Sequence, residues 1–450
     1  MALFGTNGIR GIPNKDFYPD FYLHIAIAIG SAINEKSFAI ASDGRKTVAM
    51  LRGAVISGLT STGHDIIDLG TLPVPALQYY CKVKNVPGIM ITASHNPPEY
   101  NGIKVFSSDG IEVNAETASR IEDLYKSSKY KEIGNATGSS VGYAEWSEVG
   151  EVKSDYGAKD LYIKGILSNV DVEAIRKRKL TVLYDCSNGA TYEVMPILMK
   201  ELGIRGIALN ATLDSMFPGH KPEPTEENIR KTIDIAKELG VDFGVVFDSD
   251  GDRSIFISPD GKYLDGNYTL AVIARSRIKK GDSVVTTVCN SDIFSQTARS
   301  IGAEVYVTKI GSPAIARKAV EVNAKLAGEE SGGIMFCSHQ YAKDGAMALA
   351  LFAEAAAKND LASMLDSLPR LYYKRSKVQT TKSFDEIKDR LLNEKHISQD
   401  LTDGVKIYFN DTDWVMMRPS GTEPVLRIYA QASSKEAVDA MIEKYKGFAL

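Results

Sequence analysis

VDFGVVFDSDGDR (residues 241–253) carries the first sign of architecture: the apolar run Phe243 to Phe247 halts abruptly in a cluster of aspartates. A short apolar run bounded by turn-forming residues is the pattern of a strand buried on both faces. The same pattern recurs in SFAIASDGRKT (37–47), which stops near Asp43, and in LTVLYDCSNGAT (180–191), which stops near Asp185. A helix-like pattern follows each of them. Strands alternating with amphipathic helices predict α/β layers with largely parallel sheets. In such sheets ligands bind beyond the carboxyl ends of the strands, where these polar clusters fall. Their likeness points to repeated α/β units.

At about 150 residues per domain, a chain of 450 residues predicts about three domains. Hydrophobic residues make up 44% and charged residues 24%, with a net charge of -4, near the averages for a soluble globular protein. With a pI near 6.0 there is no basic footprint to displace counterions from nucleic acid, so an anionic ligand has to be held by a local site. The longest strongly apolar stretch, Ala346 to Ala357, falls short of the ~20 residues a bilayer needs and contains Glu354, which argues against a membrane span. MALFGTNGIRG places Gly5, Asn7 and Gly8 where the apolar core of a signal peptide would lie, so a cytoplasmic location is expected. Cys81, Cys186, Cys289 and Cys337 form no CxxC pair and read as buried thiols. The sequons at Asn135, Asn210, Asn267 and Asn410 then read as chance matches in polar loops.

The polar run KSSKYKEIGNATGSSVGYAEWSEV (126–149) shows no apolar period and reads as a connection between domains. A second boundary is expected after DSDGDR, where ISPDGKYLDGNYT carries Asp-Gly turns, and a third near Pro369 to Thr381. Beyond it, VKIYFN, WVMMRP and VLRIYAQA alternate as strands, and SKEAVDAMIEKYKGF has a helical apolar face, together a small α+β domain. Both Trp146 and Trp414 read as packing residues.

Asp248, Asp250 and Asp252 follow their strand at a spacing of two, which in extended chain places three carboxylates on one side. Hard oxygen ligands at this density suit Mg²⁺ or Ca²⁺, although a solvated acidic turn has the same letters. An EF-hand needs Gly and an acid where this chain has Arg253 and Pro259. A haloacid-dehalogenase-like phosphatase needs Thr or Val where Asp252 stands. A second stretch, GIMITASHNPPEYNGIKVF (88–106), is an apolar strand running into a loop with Ser94 and His95, then an Asn-Gly turn and Lys104. A serine on such a loop serves as a nucleophile, a phosphate carrier or only a turn former. Lys104 is placed to hold a phosphoryl oxygen or to move a proton.

With these letters on view, the chain resembles the α-D-phosphohexomutase superfamily over nearly its whole length, with four signatures in order. The resemblance implies three related α/β domains with mixed sheets plus a smaller C-terminal α+β domain, four domains around a central cleft. Their expected bounds are 1–148, 149–254, 255–371 and 372–450, which revises the count of three. It implies interconversion of hexose 1- and 6-phosphates, of glucose and/or mannose, through a phosphoserine and a hexose 1,6-bisphosphate, which also acts as activator. TASHNPPEYNGIKVF then makes Ser94 the phosphorylated residue, and DSDGDR makes Asp248, Asp250 and Asp252 the Mg²⁺ ligands together with a phosphoserine oxygen. GEESGG (328–333) brings Glu329 and Ser331 to the sugar hydroxyls; RPSGTEPVLRIY (418–429) brings Arg418, Ser420, Gly421, Thr422 and Arg427 to the non-reacting phosphate. FGTNGIRG supplies Arg10 at the phosphoserine, and TKIGSPAI (308–315), with Thr308 and Gly311, resembles a loop that closes on the substrate. One departure stands out: many bacterial members carry His after the Ser-Gly of the sugar loop, where this chain has Gly333.

Charge compensation follows from the same set. Three aspartates, a phosphoserine of about -1.5 to -2 and one Mg²⁺ leave roughly -3, so Arg253, Arg10 and Lys104 are the expected counter-cations. Lys104 is the expected acceptor of the sugar hydroxyl's proton, with a pKa lowered by burial or by Arg10, and His95 is expected to steady the phosphoserine. A phosphosugar is the expected partner, and no oligomeric state is legible. The three hexoses differ at carbon 2, on which no residue here reports, so phosphoglucosamine mutase is the close alternative. A Mg²⁺-dependent sugar-phosphate phosphatase and a non-catalytic sugar-phosphate binder are the others.

Overall fold

The computed structural model describes residues 3–5, 8–127, 142–419 and 425–449. The chain divides into two compact units, Met1–Leu264 with Gly333–Asp360, and Asp265–Gly332 with Leu361–Leu450.

The first unit holds two mixed sheets. One is built from β1 (Ile9–Gly11), β2 (Ser37–Ser42), β3 (Asp65–Thr71), β4 (Gly88–Ile91), β5 (Asn101–Phe106) and β6 (Val152–Ser154), in the order β1-β5-β4-β2-β3-β6. The β2, β3, β4 and β6 pairings are parallel, whereas β5 runs antiparallel to β4 and β1. Helix Pro19–Ala32 sets Tyr22, Ile25 and Ile29 in one core with Phe38, Ile40, Ile89 and Ile91 of the strands. The second sheet has β7 (Thr181–Asp185), β8 (Arg205–Leu209), β9 (Phe243–Phe247), β10 (Ser254–Ile257) and β11 (Tyr263–Leu264), ordered β11-β10-β9-β7-β8. Every residue of β9 is buried, the outcome expected for an uninterrupted apolar run in a covered sheet.

Two expected boundaries move. β6 lies beyond residue 148 and pairs with β3, so the first sheet reaches Ser154. Residue 254 is not a break either, because β10 is the return strand of a hairpin with β9, Ser254 opposite Phe247 and Ile257 opposite Gly244. Of the two Asp-Gly pairs, Asp260-Gly261 turns β10 into β11, whereas Asp265 caps the helix Gly266–Arg277, where the second unit begins.

In the second unit β12 (Ser283–Thr287) is flanked by β13 (Glu304–Thr308) and β14 (Leu326–Gly328), both parallel to it. The chain then returns to the first unit with β15 (Ile334–Phe336) and helix Gly345–Lys358, whose Phe352 stacks on Phe256 at 4.2 Å and meets Phe243 at 5.1 Å. That helix is apolar nearly all round because it is buried nearly all round.

The C-terminal sheet is antiparallel: β16 (Tyr372–Gln379), β17 (Ser398–Asp400), β18 (Val405–Tyr408), β19 (Trp414–Pro419) and β20 (Val425–Ala432), in the order β16-β20-β19-β18-β17. Alternate residues Val405, Ile407, Val415, Met417, Leu426 and Ile428 face Val438, Ile442 and Tyr445 of helix Lys435–Ala449. Helix Phe384–Leu392 starts with a capping box, Ser383 and Glu386 satisfying each other's backbone N–H. Trp414 is buried as expected, but Trp146 is 89% exposed and packs no core. The four cysteines are buried and free. Among the described residues no helix is long and apolar enough to cross a membrane.

Candidate active site

The loop after β4 holds Ser94. Thr92 Oγ1 accepts from the Ser94 N–H at 2.8 Å and donates to Asp43 Oδ2 at 2.7 Å. Ser94 itself sits at φ +50°, in the left-handed region that non-glycine residues seldom enter, and is 1% exposed. Such a backbone costs about 1–3 kcal/mol and persists only where its surroundings over-determine it. Its Oγ lies 3.4 Å from Asp248 Oδ2 and 3.3 Å from His95 Nδ1. Ser249 Oγ donates to the Ser94 carbonyl at 2.6 Å, so the serine loop and the acidic loop are tied directly.

The acidic loop is the turn of the β9–β10 hairpin. Gly251 takes φ +74°, and a Cβ there would lie 2.6 Å from Thr191 Cγ2 and 2.9 Å from Pro73 Cβ, so the turn admits only glycine without displacement. Asp248, Asp250 and Asp252 are all buried, with one oxygen of each within 4.8 Å of the others. Lys104, 1% exposed on β5, donates to Asp250 Oδ2 at 2.9 Å and Asp252 Oδ2 at 3.2 Å. The Oδ1 atoms of Asp250 and Asp252 have no hydrogen-bond partner among the described residues. Burial, reinforced by Asp252 and Asp250, drives the Asp248 carboxyl well above its ordinary range. Burial also works to raise Asp252, yet Lys104, Lys343 and Arg253 together hold it below. Three buried carboxylates close together, two of them with an oxygen that no hydrogen bond occupies, fit a hard divalent cation.

Sequence-predicted residues of this unit converge. Arg10, on β1 opposite Gly102, donates to Asn96 Oδ1 at 2.8 Å, and Arg253 Nε lies 3.8 Å from Asp252 Oδ1. Burial, with Arg253 and Arg10 near, lowers His95 well below the usual imidazole value, so it is a neutral partner for Ser94. Lys104 departs from expectation. Burial pulls its pKa down, but Asp250 and Asp252 outweigh burial and Arg10, and the ammonium is held above its ordinary value.

Sequence reasoning missed Asp43, Arg45, Thr92, Glu112 and Lys343. The stem of Lys343, 2% exposed, lies over Gly333: a Cβ at 333 would meet its Cδ at 2.5 Å and Cε at 2.9 Å. Position 333 is thus covered by a lysine that acts electrostatically on Asp252 and Glu112. Burial lifts the Glu112 carboxyl to about 7 despite Lys104 and Lys343. Gly333→Ala is expected to cost about 1–3 kcal/mol of stability by overpacking, read from the denaturant midpoint.

In the second unit Ser331 Oγ donates to Glu329 Oε1 at 2.7 Å, and Glu329 is 4% exposed. Asp403, also missed, accepts from Arg418 Nε at 3.1 Å and from the Ile310 N–H at 3.0 Å. One carboxylate therefore joins the Thr308–Gly311 loop to β19. Arg418 stands directly opposite Arg427 across β19 and β20. Like charges in that register repel, and a dianion between them would remove the cost. Ser420, Gly421 and Thr422 lie outside the described residues.

The first unit thus carries a buried serine against an acidic trio, and the second carries two arginines paired across its strands; comparison with known proteins shows the family. Four descriptions match in order: "Phosphoglucomutase/phosphomannomutase, alpha/beta/alpha domain I" over residues 1–132, domain II over 160–261, domain III over 265–372 and the C-terminal domain over 374–445. A "Phosphoglucomutase/phosphomannomutase" of Thermococcus kodakarensis is 38% identical over 98% of this chain and 97% of its own. A "Phosphoglucosamine/phosphogalactosamine mutase" of Sulfurisphaera tokodaii is 36% identical over 99% of this chain and 98% of its own. A crystal structure of a phosphoglucomutase/phosphomannomutase family protein from Burkholderia thailandensis superposes with a TM-score of 0.85 at 24% identity, covering 99% of this chain and 96% of that one. The chain belongs to the phosphoglucomutase/phosphomannomutase family of the α-D-phosphohexomutase superfamily, and is a phosphomutase, an isomerase.

Proposed function

We propose that the protein is a cytoplasmic, Mg²⁺-dependent hexose phosphate mutase that interconverts the 1- and 6-phosphates of glucose and/or mannose, with Ser94 as the phosphoryl carrier and hexose 1,6-bisphosphate as intermediate and activator. The observation that carries this reading is Ser94 Oγ held 3.4 Å from Asp248 in a buried acidic trio that Lys104 also faces. Phosphoryl transfer asks a protein for position and charge compensation rather than covalent ingenuity. Asp248, Asp250, Asp252 and a phosphoserine oxygen would hold Mg²⁺, which supplies Lewis-acid polarisation of the phosphoryl group when bound. A sugar hydroxyl oxygen bonds to phosphorus as the bond from phosphorus to Ser94 Oγ breaks, and one proton passes in net from that hydroxyl to the serine oxygen. Lys104, Arg10 and Arg253 stand as positive charge around the group in flight, and neutral His95 steadies the serine oxygen. Turned round, the bisphosphate returns its other phosphate to Ser94.

Recognition falls to the second unit in this reading. Glu329 and Ser331 take the sugar hydroxyls; Arg418, Arg427, Ser420, Gly421 and Thr422 take the non-reacting phosphate; Thr308 and Gly311 belong to the loop that closes on the substrate. Arg418→Ala is expected to raise KM for both isomers by about 10- to 100-fold, the weight of one charge-assisted phosphate contact. An effect on one isomer alone would contradict a shared phosphate site.

A glucosamine substrate is the second reading, supported by likeness to the Sulfurisphaera protein. Side-by-side turnover of glucose, mannose and glucosamine 1-phosphates with catalytic bisphosphate decides between them: kcat/KM favouring glucosamine 1-phosphate would replace the first reading with the second.

A further inference from the structure

Arg45 lies at the carboxyl end of β2, is 2% exposed, and its guanidinium is saturated. Nε donates to Asp43 Oδ2 at 3.1 Å; one terminal nitrogen donates to the carbonyls of Pro97 at 2.6 Å and Tyr100 at 2.9 Å; the other donates to those of Ser94 at 2.5 Å and Asn96 at 2.7 Å. A guanidinium has five N–H groups in a rigid fork, and here each has its own acceptor. Four of the five acceptors are backbone carbonyls of the serine loop, Ser94 among them. The anchor is fixed in turn: the Asp43 carboxylate accepts from the Arg45 N–H at 3.0 Å and from Thr92 Oγ1, which receives the Ser94 N–H. The aromatic ring of Phe217 closes over the guanidinium at 5.2 Å.

We propose that Arg45, anchored by Asp43 and Thr92, is the positioning residue of the phosphoryl carrier: it gathers the loop carbonyls from Ser94 to Tyr100 and so holds Ser94 in its left-handed backbone with Oγ turned to the acidic trio. The proposal rests on the reading of Ser94 as that carrier. Arg45 reaches the reacting group only through the backbone it holds. A lysine keeps the charge but offers three N–H groups on a point-like head, so at least two of the five acceptors lose their donor and the loop loses its register. Misplacement by about 1 Å is enough to cost about 100-fold in a transfer that depends on alignment.

The test is the rate at which Ser94 takes up a phosphoryl group from glucose 1,6-bisphosphate, followed by intact mass, together with kcat and KM. Arg45→Lys is expected to load about 100-fold more slowly and to lose kcat in parallel, while KM moves less than about threefold, since the substrate phosphate is gripped elsewhere. Thr92→Val keeps Arg45 and removes the Thr92 link; it is expected to load at least about tenfold more slowly, with Thr92→Ser restoring the rate. Should Arg45→Lys fail to fold, the Thr92 pair decides. Loading at the parent rate in Arg45→Lys, or losses confined to KM, would overturn the positioning role. So would equal rates in Thr92→Val and the parent. A parent protein that never acquires the phosphoryl group would overturn the carrier reading itself, and this inference with it.

Discussion

Ser94→Ala is expected to cut turnover by at least about 10⁴-fold while leaving phosphosugar binding within about threefold of the parent. The split follows from what the serine touches. Its Oγ contacts are long, 3.4 Å to Asp248 and 3.3 Å to His95, so deleting it removes little ground-state interaction. Its neighbours stay in place, because the loop is held through backbone groups by Arg45, Ser249 and Thr92. No other described hydroxyl donates to an oxygen of the acidic trio except Thr92 Oγ1, which is engaged with Asp43 at 2.7 Å and lies 3.4 Å from Asp250 Oδ2. On the proposed reading, no other hydroxyl among the described residues is placed to carry the phosphoryl group. Titration of ligand into the variant by calorimetry, beside its turnover, measures both halves; a fall in binding equal to the fall in turnover would make Ser94 a binding residue instead.

Lys104→Met is expected to act on stability and rate together, and to make the fold dependent on metal. Lys104 bridges two buried carboxylates at 2.9 and 3.2 Å, and its own pKa is held up by them. Removing one partner of a buried ion pair costs about 3–5 kcal/mol, because the remaining charge is stranded out of water. Adding Mg²⁺ should recover much of that loss, since a divalent cation compensates the same oxygens, and the gain in Tm on adding Mg²⁺ should exceed the parent's. Turnover with Mg²⁺ saturating is expected to fall about 10²- to 10³-fold from the loss of fixed charge beside the moving phosphoryl group. Equal Mg²⁺-dependent gains in Tm, with unchanged turnover, would remove Lys104 from the charge balance.

How much of this was legible depends on where each interaction is written. Strands such as FGVVF announce themselves because burial on both faces demands an unbroken apolar run. The C-terminal strands are equally plain, since one face packs a helix and the apolar residues alternate. The boundary expected at residue 254 falls inside the β9–β10 hairpin because a turn signal says that the chain reverses, not which sheet receives it. Ser94, Lys104 and the three aspartates sit in strings of letters specific enough to name. Arg45 and Lys343 do not: one acts through carbonyls that every residue possesses, and the other covers Gly333 from ten positions along the chain. Asp43 and Arg45 did fall in a polar cluster at a strand's carboxyl end, the one signal that could have selected them. The Lys104 pKa was expected to move the opposite way, because burial was weighed without the two carboxylates that tertiary structure brings to it.

The most direct measurement begins with protein already phosphorylated and mixes it with one equivalent of glucose 1-phosphate and Mg²⁺, following the phosphoryl group through a single turnover. Loss of about 80 Da from the protein matched by glucose 1,6-bisphosphate, with no inorganic phosphate released, is the predicted result. Release of inorganic phosphate at the rate of protein dephosphorylation would contradict it and make the protein a hydrolase.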